Sequence, residues 1–413
     1  MSAPPPAGNS APPSPAAVPS LTLRRATLPV TILIQSAATA AVVGPAVAAP
    51  RLLERLQLPA AALGVFVALV YLGAMFSSQL GALWVRRWGP IRASQVALLS
   101  GAVGLALLAV PSRWAAALAA PLIGLGYGPI TPASSQLLAR TTDPKNFSLV
   151  FSIKQTGVPL GGVIAGLMVP PLVLWQGGAA ATLGLAALSL IAAASALPLA
   201  GALDTERDAS ARWPGLLKLM APMRLVWSHP HLRSLALCSL VFSAVQLSLT
   251  SYAVSWLHGE LAWTLLAAGA ALSASQVAGV VGRIVWGWVA DRWLGARPML
   301  IALSLAMLLC SLAMLLVNAG SSTPLVLTLL CLYGATAVGW NGVYLATVAR
   351  LVSKPQAAEA TAGTLFFTFF GVVIGPPLFG AAGAALGGLS FAFACLALPL
   401  TWGTWSLWRA RWS

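Results

Sequence analysis

The stretch GWVADRWLGARP, residues 287–298, has a partial copy half a chain earlier, GALWVRRWGPIR at residues 81–92. In both copies a second glycine follows the first by eight positions, and basic residues lie around it. The later copy carries Asp291, whereas the earlier copy has Val85 at the equivalent position. A charged segment that recurs after about half of the 413 residues indicates an internal duplication.

The composition predicts a protein that spans a membrane many times. Hydrophobic residues make up 59% of the chain, charged residues make up 8%, and the mean hydropathy is +0.87. Twelve apolar runs are long enough to cross a hydrocarbon layer of about 30 Å. Because lipid offers no hydrogen bonds to a bare backbone, we expect each run to be an α-helix. The predicted spans are 27–49, 61–83, 93–111, 114–139, 147–170, 178–202, 232–256, 263–289, 298–318, 324–349, 360–382 and 388–408.

The basic residues predict how the chain is oriented. With the N-terminus in the cytoplasm, 18 of the 23 lysines and arginines fall in cytoplasmic segments, and only Arg51, Arg55 and Arg113 fall in outer loops. This asymmetry follows the positive-inside rule. The net charge of +15 therefore holds the protein against anionic lipid and does not indicate a nucleic-acid partner. We predict an integral protein of a bacterial inner membrane with both termini in the cytoplasm.

Four segments organise the chain. Residues 1–26 are predicted to be a disordered cytoplasmic tail, since residues 1–20 hold seven prolines and no charge. The basic pair Arg24 and Arg25 and the AVAA at 46–49 leave a cleaved signal peptide as an alternative. Two six-helix halves, 27–202 and 232–413, flank a cytoplasmic central loop, 203–231, in which the apolar spacing over 213–225 predicts an amphipathic interfacial helix.

The duplication extends beyond the opening stretch. Arg140 and Arg350 end spans 4 and 10, and GVPLGG (157–162) in span 5 corresponds to GVVIGPP (371–377) in span 11. With twelve spans and two halves, the chain resembles the major facilitator superfamily, whose loop motif matches Gly287, Asp291, Arg292, Gly295 and Arg297, and in the first copy Gly81, Arg86, Gly89 and Arg92. The resemblance implies a carrier that rocks one half against the other around a site near the midplane.

In such a carrier the two loops are expected to act as latches on the cytoplasmic side. The resemblance implies that Asp291 lies against the start of span 5 near Asn146 and Phe147, with Asp143 close to Arg292. For the first loop, we predict that Arg86 or Arg87 pairs with Glu359 at the start of span 11; alternatively the two arginines only mark the cytoplasmic side. The predicted gating residues are Gly81, Arg86, Arg87, Gly89, Glu359, Gly287, Asp291, Arg292 and Gly295.

Glycine and proline motifs predict close helix packing in spans 5 and 11. Small residues four apart let two helix backbones approach each other, and proline bends a helix. Pro159, Pro376 and Pro377 are predicted to bend their spans. The packing residues are Gly157, Pro159, Gly161, Gly162, Gly371, Gly375 and Pro376, with Gly166 completing a pair.

Two cations inside spans are candidates for a binding site. Lys154 in span 5 and Arg283 in span 8 come from opposite halves, and none of the eight acidic residues lies in the middle of a span. A charge inside the membrane is costly, so it marks a functional site by default. The pair predicts an anionic substrate, most simply a carboxylate. Alternatively, Lys154 reaches the cytoplasmic surface and Arg283 caps backbone carbonyls.

The family resemblance extends this candidate site. Arg283 is similar in its distance from the loop motif to the span-8 arginine of monocarboxylate and oxalate–formate carriers, but Gly279 stands where monocarboxylate carriers have an aspartate, which puts proton coupling in doubt. Polar or aromatic residues near the middle of spans 1, 4, 7 and 10 are candidate contacts: Gln35, Tyr127, Gln246, Trp340 and Asn341.

The sequence thus predicts a secondary carrier for a small organic anion, coupled to a proton or uncoupled. A proton-coupled drug efflux antiporter and a membrane-embedded sensor stay open as alternatives. We expect no enzyme activity, no cofactor and no metal site, since the chain has three scattered histidines and lacks a nucleotide-binding loop. The expected partners are the solute and membrane lipid, and we expect a monomer.

Overall fold

The computed structural model describes residues 21–141, 150, 153–205, 207–208, 210, 216–352 and 357–409, and within these ranges every regular element is a helix. Side chains at 21–25, 79, 82, 139–140, 216–219, 221, 349, 357–359 and 362 are outside the described set. The α-helices are Leu21–Val47, Ala49–Leu56, Ala62–Trp88, Pro90–Leu108, Arg113–Tyr127, Ile130–Thr141, Gly157–Ser195, Leu197–Leu203, Leu216–Ser228, Pro230–Gly259, Leu265–Val289, Ala296–Ala313, Thr323–Ala337, Asn341–Arg350, Ala357–Leu386, Leu389–Cys395 and Ala397–Arg409.

The described helices account for twelve membrane crossings. Ten helical segments are long and apolar enough to span a bilayer, and the helix Ala62–Ser78 is a shorter apolar one. One of the ten, Ile153–Leu203, has 51 residues, which is roughly 77 Å at 1.5 Å per residue and too long for a single crossing. It is interrupted at Gln176 and Gly177, where the backbone is not helical, and so contains spans 5 and 6. The all-α fold with two six-helix halves is confirmed.

Some helix limits differ from the predicted ones. The first helix begins at Leu21, so residues 21–26 of the predicted tail are helical. The central loop holds the helix Leu216–Ser228, which packs against spans 7 and 11; residues 213–215 of the predicted interfacial helix lie outside the described residues. The predicted domain limits stay a prediction.

The duplication is visible in the backbone. Gly89 and Gly295, the second glycines of the two loops, adopt nearly the same conformation, with φ +91 and ψ 160 in one and φ +79 and ψ 161 in the other. Only glycine adopts this region readily, which explains the residue type. Spans 4 and 10 are both broken near their middle, after Tyr127 and after Ala337. The two halves therefore share their irregular features as well as their helices.

The halves meet mainly toward the end of the bundle opposite the termini, which we name the far end; the other end is the terminal end. Span 2 packs against span 11, and span 5 against span 8. A Cβ at Gly64 would lie 2.4 Å from the Pro376 carbonyl oxygen, and a Cβ at Gly166 would lie 2.4 Å from that of Gly269. Since real Cβ atoms do not approach so closely, only glycine fits at these two crossings.

The predicted glycine motif of span 5 divides its contacts between two helices. A Cβ at Gly157 would meet Gln35 at 2.9 Å, and one at Gly161 would meet the Ser36 carbonyl oxygen at 2.5 Å, both on span 1. A Cβ at Gly162 would instead meet Gln276 of span 8 at 2.9 Å. The motif thus supports close packing toward span 1 of its own half and toward the opposite half at once.

Span 11 uses its glycines against span 7. A Cβ at Gly371 would lie 2.0 Å from the Leu240 carbonyl oxygen, and one at Gly375 would lie 2.6 Å from the Ala244 Cβ. The helix Ala357–Leu386 continues through Pro376 and Pro377. Pro159 occupies the first turn of the helix that begins at Gly157, and the helical segment that starts at Ile153 is interrupted by a turn at Thr156, three residues before this proline; the predicted bend within span 5 stays a prediction.

Candidate functional site

Arg283 links the two halves at the centre of the candidate site. Its Nε donates to the Val338 carbonyl oxygen at 3.1 Å, and its Nη1 donates to the Gln155 carbonyl oxygen at 3.2 Å. Val338 lies in the break of span 10, in the same half as Arg283, whereas Gln155 lies in span 5 of the other half, just before the turn at Thr156. The capping of backbone carbonyls by Arg283, one of the two alternatives from the sequence, is therefore what the structure shows.

Helix breaks explain why these two carbonyls accept a side-chain donor. A carbonyl in a regular helix accepts from the N–H four residues later. Four residues after Gln155 stands Pro159, which has no N–H. The helix of span 10 is interrupted between Ala337 and Asn341, and Val338 lies within this interruption. Each break therefore exposes one carbonyl, and Arg283 bridges them.

Lys154 lies beside this bridge. Its side chain is 0% exposed, and its Nζ donates to the Gln155 Oε1 at 3.2 Å. The predicted alternative in which Lys154 reaches the cytoplasmic surface is wrong, since a fully buried side chain does not reach water. Lys154 and Arg283 thus both bond to Gln155, one through its side chain and the other through its backbone. The structure brings the two predicted cations together at one residue.

The electrostatic state of Arg283 is unusual. Its two carbonyl bonds use two of the five N–H donors of a guanidinium. Among the described residues, no carboxylate forms an ion pair with it. A carbonyl dipole offsets only part of the cost of moving a cation out of water. The site therefore favours a negatively charged group that can reach the remaining donors.

Gln35 and Tyr127 lie on the side of the first half. Tyr127 lies close to Thr39 and to Arg283. The Gln35 Nε2 contacts the Thr39 hydroxyl at 3.5 Å, and among the described residues its buried Oε1 has no partner. Tyr71 stacks edge-on against Tyr127 with ring centroids 6.0 Å apart. These groups form a polar and aromatic wall next to the two cations.

Gln246, Trp340 and Asn341 form a second cluster within the other half. The Gln246 Oε1 accepts from the Trp340 Nε1 at 3.0 Å and from the Asn341 Nδ2 at 3.3 Å. Trp340 is fully buried and packs edge-on against Phe242, so its ring is part of the core. The cluster satisfies its own hydrogen bonds, which supports helix-to-helix bonding at the break in span 10.

Sequence reasoning missed three residues that complete the site. Gln155 offers both its backbone and its side chain to the cations, and Tyr71 and Phe369 face each other across the halves with ring centroids 6.5 Å apart. Gln155 had a readable signal, because a proline stands four positions after it. The two aromatic residues had none, since a single ring in an apolar span looks like ordinary core.

The second loop pairs within its own half, whereas the first loop pairs with the central loop. Asp291 forms an ion pair with Arg350 at 2.9 Å, and Arg86 pairs with Asp208 at 3.0 Å. Of the predicted partners across the halves, Asp143, Asn146, Phe147 and the Glu359 side chain lie outside the described residues. Arg87 and Arg292 are exposed. Gly81 packs against Pro129 and Pro132, whereas a Cβ at Gly287 would meet open space.

An acidic residue at the end of span 6 lies against the first loop. Val85 is buried, and the Asp204 carboxylate accepts from the backbone N–H groups of Ile91 and Arg92 at 2.9 and 3.0 Å. Asp204 thus caps the helix that begins at Pro90 from outside that helix. Burial raises the pKa of Asp204 above its ordinary 3.8, although those two bonds and the charge of Arg207 act against the rise.

The helices form two similar halves, some helices are broken, and two cations lie where the halves meet. This arrangement is typical of a solute carrier, and the sequence identifies the family. The sequence matches the Major Facilitator Superfamily over residues 30–376, so the chain belongs to that family. It is therefore a transporter of small solutes and not an enzyme. The sequence has no match among curated proteins.

Solved structures share the fold at low identity. A bacterial homologue of the human lysosomal transporter Spinster, in an inward-facing and occupied conformation, is 15% identical, with a TM-score of 0.76 over 96% of this chain and 100% of that one. The nucleoside transporter NupG is 16% identical, with a TM-score of 0.74 over 95% and 100%. A transporter of the POT family in complex with 5-aminolevulinic acid is 14% identical, with a TM-score of 0.72 over 92% and 94%. These likenesses concern the fold alone.

Proposed function

We propose that this transporter carries a small organic anion, most simply a carboxylate, by alternating access. One observation carries the proposal: Arg283 and Lys154, from opposite halves, converge on Gln155, and the bonds described for Arg283 are all to neutral carbonyls. Hydrogen bonds between ionised partners are about twice as strong as neutral ones. A carboxylate is therefore the group that gains most by entering this site.

The bonding of Arg283 also suggests how an anion acts on the carrier. The bond from Arg283 to Gln155 joins the two halves, so a substrate that takes over that donor replaces a protein contact between halves with its own. A ligand shifts a conformational equilibrium only through different affinities for the two states. Here the difference arises because the Gln155 carbonyl competes for Arg283 in one state and moves away in the other.

The conformation fits a carrier that is open at its terminal end. The crossings described above that admit only glycine lie toward the far end, whereas at the terminal end the described ion pairs join Asp291 to its own half and Arg86 to the central loop. The positive-inside charge pattern supports a cytoplasmic location for the terminal end and for both termini, and we place the carrier in a bacterial inner membrane. In this orientation a carrier that is open at its terminal end is inward-facing.

A second candidate, efflux of a hydrophobic compound, is supported by the aromatic wall. Tyr71 contacts Tyr127 and Phe369 beside the cations, and rings of this kind bind flat apolar solutes. The two candidates differ in one respect: efflux of a neutral aromatic compound does not need Arg283.

Flux into proteoliposomes tests the proposal. The purified chain is reconstituted, and uptake of radiolabelled acetate, lactate, oxalate and succinate is measured at two pH values beside a neutral aromatic dye. Arg283→Gln is expected to lower anion flux at least tenfold, since it removes a charged hydrogen bond worth about 1.5–3 kcal/mol. The matched control is Arg55→Gln, an exposed arginine at the far end. Unchanged flux of every anion in both Arg283→Gln and Lys154→Gln contradicts the proposal.

A further inference from the structure

The outer surface of the second half holds a groove that the transport mechanism does not use. The groove lies at the terminal end between the first turns of span 7 and the last turns of span 12, and it has a volume of about 470 Å³. Arg233, Arg409 and His231 line it together with Trp402 and Trp405. Among the described residues that line it, none is acidic. The groove is therefore basic and aromatic at once.

One face of span 12 leads into this groove in an ordered series. Leu398, Trp402, Trp405 and Arg409 recur at intervals of four, three and four residues, which places them on the same side of the helix. The exposed fractions of the first three are 75%, 44% and 48%, so none of the described helices fully covers that face. From Leu398 to Arg409 the helix rises roughly 16 Å, about half of a 30 Å hydrocarbon layer.

This order matches the layers of a bilayer leaflet. Leucine suits the hydrocarbon, tryptophan is enriched at the interface, and arginine reaches the level of the phosphates. The groove thus lies at the depth of lipid headgroups, with its apolar approach aligned along the acyl chains. A water-soluble anion without acyl chains would gain nothing from contact with the apolar part of this face, formed by Leu398 and Trp402.

Local contacts keep the two arginines available for a ligand. The last carbonyl oxygens of span 12, those of Leu407 and Trp408, already accept from Arg297. Arg409 instead lies over the Trp405 ring, with 4.2 Å between its Cζ and the ring centroid. Arg233 lies 5.9 Å from the Trp227 ring centroid. Both guanidinium groups thus lie next to aromatic rings, and among the described residues no hydrogen bond or ion pair engages their N–H donors.

We propose that the groove between spans 7 and 12 is a binding site for the headgroup of an anionic glycerophospholipid. Arg233 and Arg409 bind the phosphate oxygens, and Trp402 and Trp405 pack against the glycerol backbone and the first methylene groups. Basic pockets between helices on the cytoplasmic side bind such headgroups.

Lipid binding to the purified protein tests this proposal. The delipidated full chain in detergent is titrated with phosphatidylglycerol, and retained lipid is counted by native mass spectrometry beside a thermal-stability measurement. Phosphatidylcholine, inorganic phosphate and glycerol phosphate are the comparison ligands. We expect phosphatidylglycerol to bind more tightly than all three. A double variant, Arg233→Gln with Arg409→Gln, is expected to bind it about 30-fold more weakly, roughly fivefold for each arginine.

Two further variants make the result decisive. Arg224→Gln removes an exposed arginine at the same end but outside the groove and should leave binding unchanged. The charge-preserving double variant, Arg233→Lys with Arg409→Lys, should recover most of the affinity, which also shows that loss in the first double variant is not misfolding. Phosphatidylglycerol binding within twofold of wild type in the glutamine double variant overturns the proposal. Equal binding of phosphatidylcholine, or full competition by millimolar glycerol phosphate, also overturns it.

Discussion

The duplicated loops provide a matched pair of glycine substitutions that tests the role of Asp204. Gly89 and Gly295 have almost the same positive φ with extended ψ, a region nearly restricted to glycine, so alanine at either position costs about 1–3 kcal/mol in backbone conformation. Their surroundings differ. A Cβ at Gly89 would lie 2.3 Å from the Asp204 Cγ, whereas the nearest atom to a Cβ at Gly295 is the Pro298 Cδ at 3.9 Å.

Gly89→Ala must therefore displace Asp204 as well as strain the backbone. The displaced carboxylate loses its bonds to the N–H groups of Ile91 and Arg92, and loss of a helix N-cap costs about 0.5–2 kcal/mol. The expected total is roughly 1.5–5 kcal/mol for Gly89→Ala, against about 1–3 kcal/mol for Gly295→Ala. The two variants differ by the cap alone, so at 2–4 °C per kcal/mol for a unit of about 200 residues their melting temperatures should differ by roughly 1–8 °C.

Thermal unfolding in one detergent, followed by a thiol-reactive dye or by aggregation, measures this difference. Asp204→Ala serves as the second control and should cost about 1 kcal/mol by itself, because it removes the cap without straining the glycine. Equal losses of stability in Gly89→Ala and Gly295→Ala, or no loss in Asp204→Ala, would refute the assignment of Asp204 as the cap of span 3.

Three further predictions follow from particular contacts. Gly166→Val should abolish flux, because even the Cβ of the new side chain would collide with the opposite half. Gly259→Val should retain flux, because a Cβ at that position meets open space. Equal flux in the two variants contradicts the close helix crossing at Gly166. The double variant Asp291→Asn with Arg350→Gln should change the free energy of unfolding by only about 0–1 kcal/mol, because the two side chains are 62% and 63% exposed. A change in melting temperature that persists in 1 M salt argues against a solvent-exposed ion pair, which salt would screen. Because the pKa of Asp204 is raised in the folded state, the folded protein binds this proton more tightly than the unfolded chain does, and the contribution of Asp204 to stability falls as the pH rises from 3.8 through the folded pKa. Asp204→Asn should therefore remove this part of the pH dependence of the melting temperature. A pH profile that is the same in the variant and in the wild type contradicts the prediction.

The repeat also shows how the candidate site arose from a common plan. Ser77 stands four residues before Gly81, as Arg283 stands four residues before Gly287. The Ser77 hydroxyl contacts the Gly124 carbonyl oxygen at 3.3 Å next to the break in span 4, and Arg283 bonds to Val338 in the break of span 10. Both side chains thus hold a broken helix. Only the longer and charged one also reaches the opposite half.

Much of the architecture was readable from composition and spacing. The twelve crossings, the two halves and the family follow from apolar runs and a repeated loop, because a bilayer imposes length and helicity on every segment that enters it. Even the helix-breaking positions had local signals, such as Pro159 and the glycines of the two loops. The burial of Lys154 and the partner of each loop arginine had no such signal.

Those features depend on which helix faces which. The sequence placed Lys154 and Arg283 within spans, but only the tertiary structure directs both to Gln155, because the orientation of a helix around its own axis is set by packing with its neighbours. The same holds for Asp204 and Asp208, which lie outside the spans and become partners of the first loop only when the end of span 6 folds beside it. The spacing of residues along the chain determines where the membrane-spanning helices lie. Contacts between residues far apart in sequence determine which charged groups each helix faces.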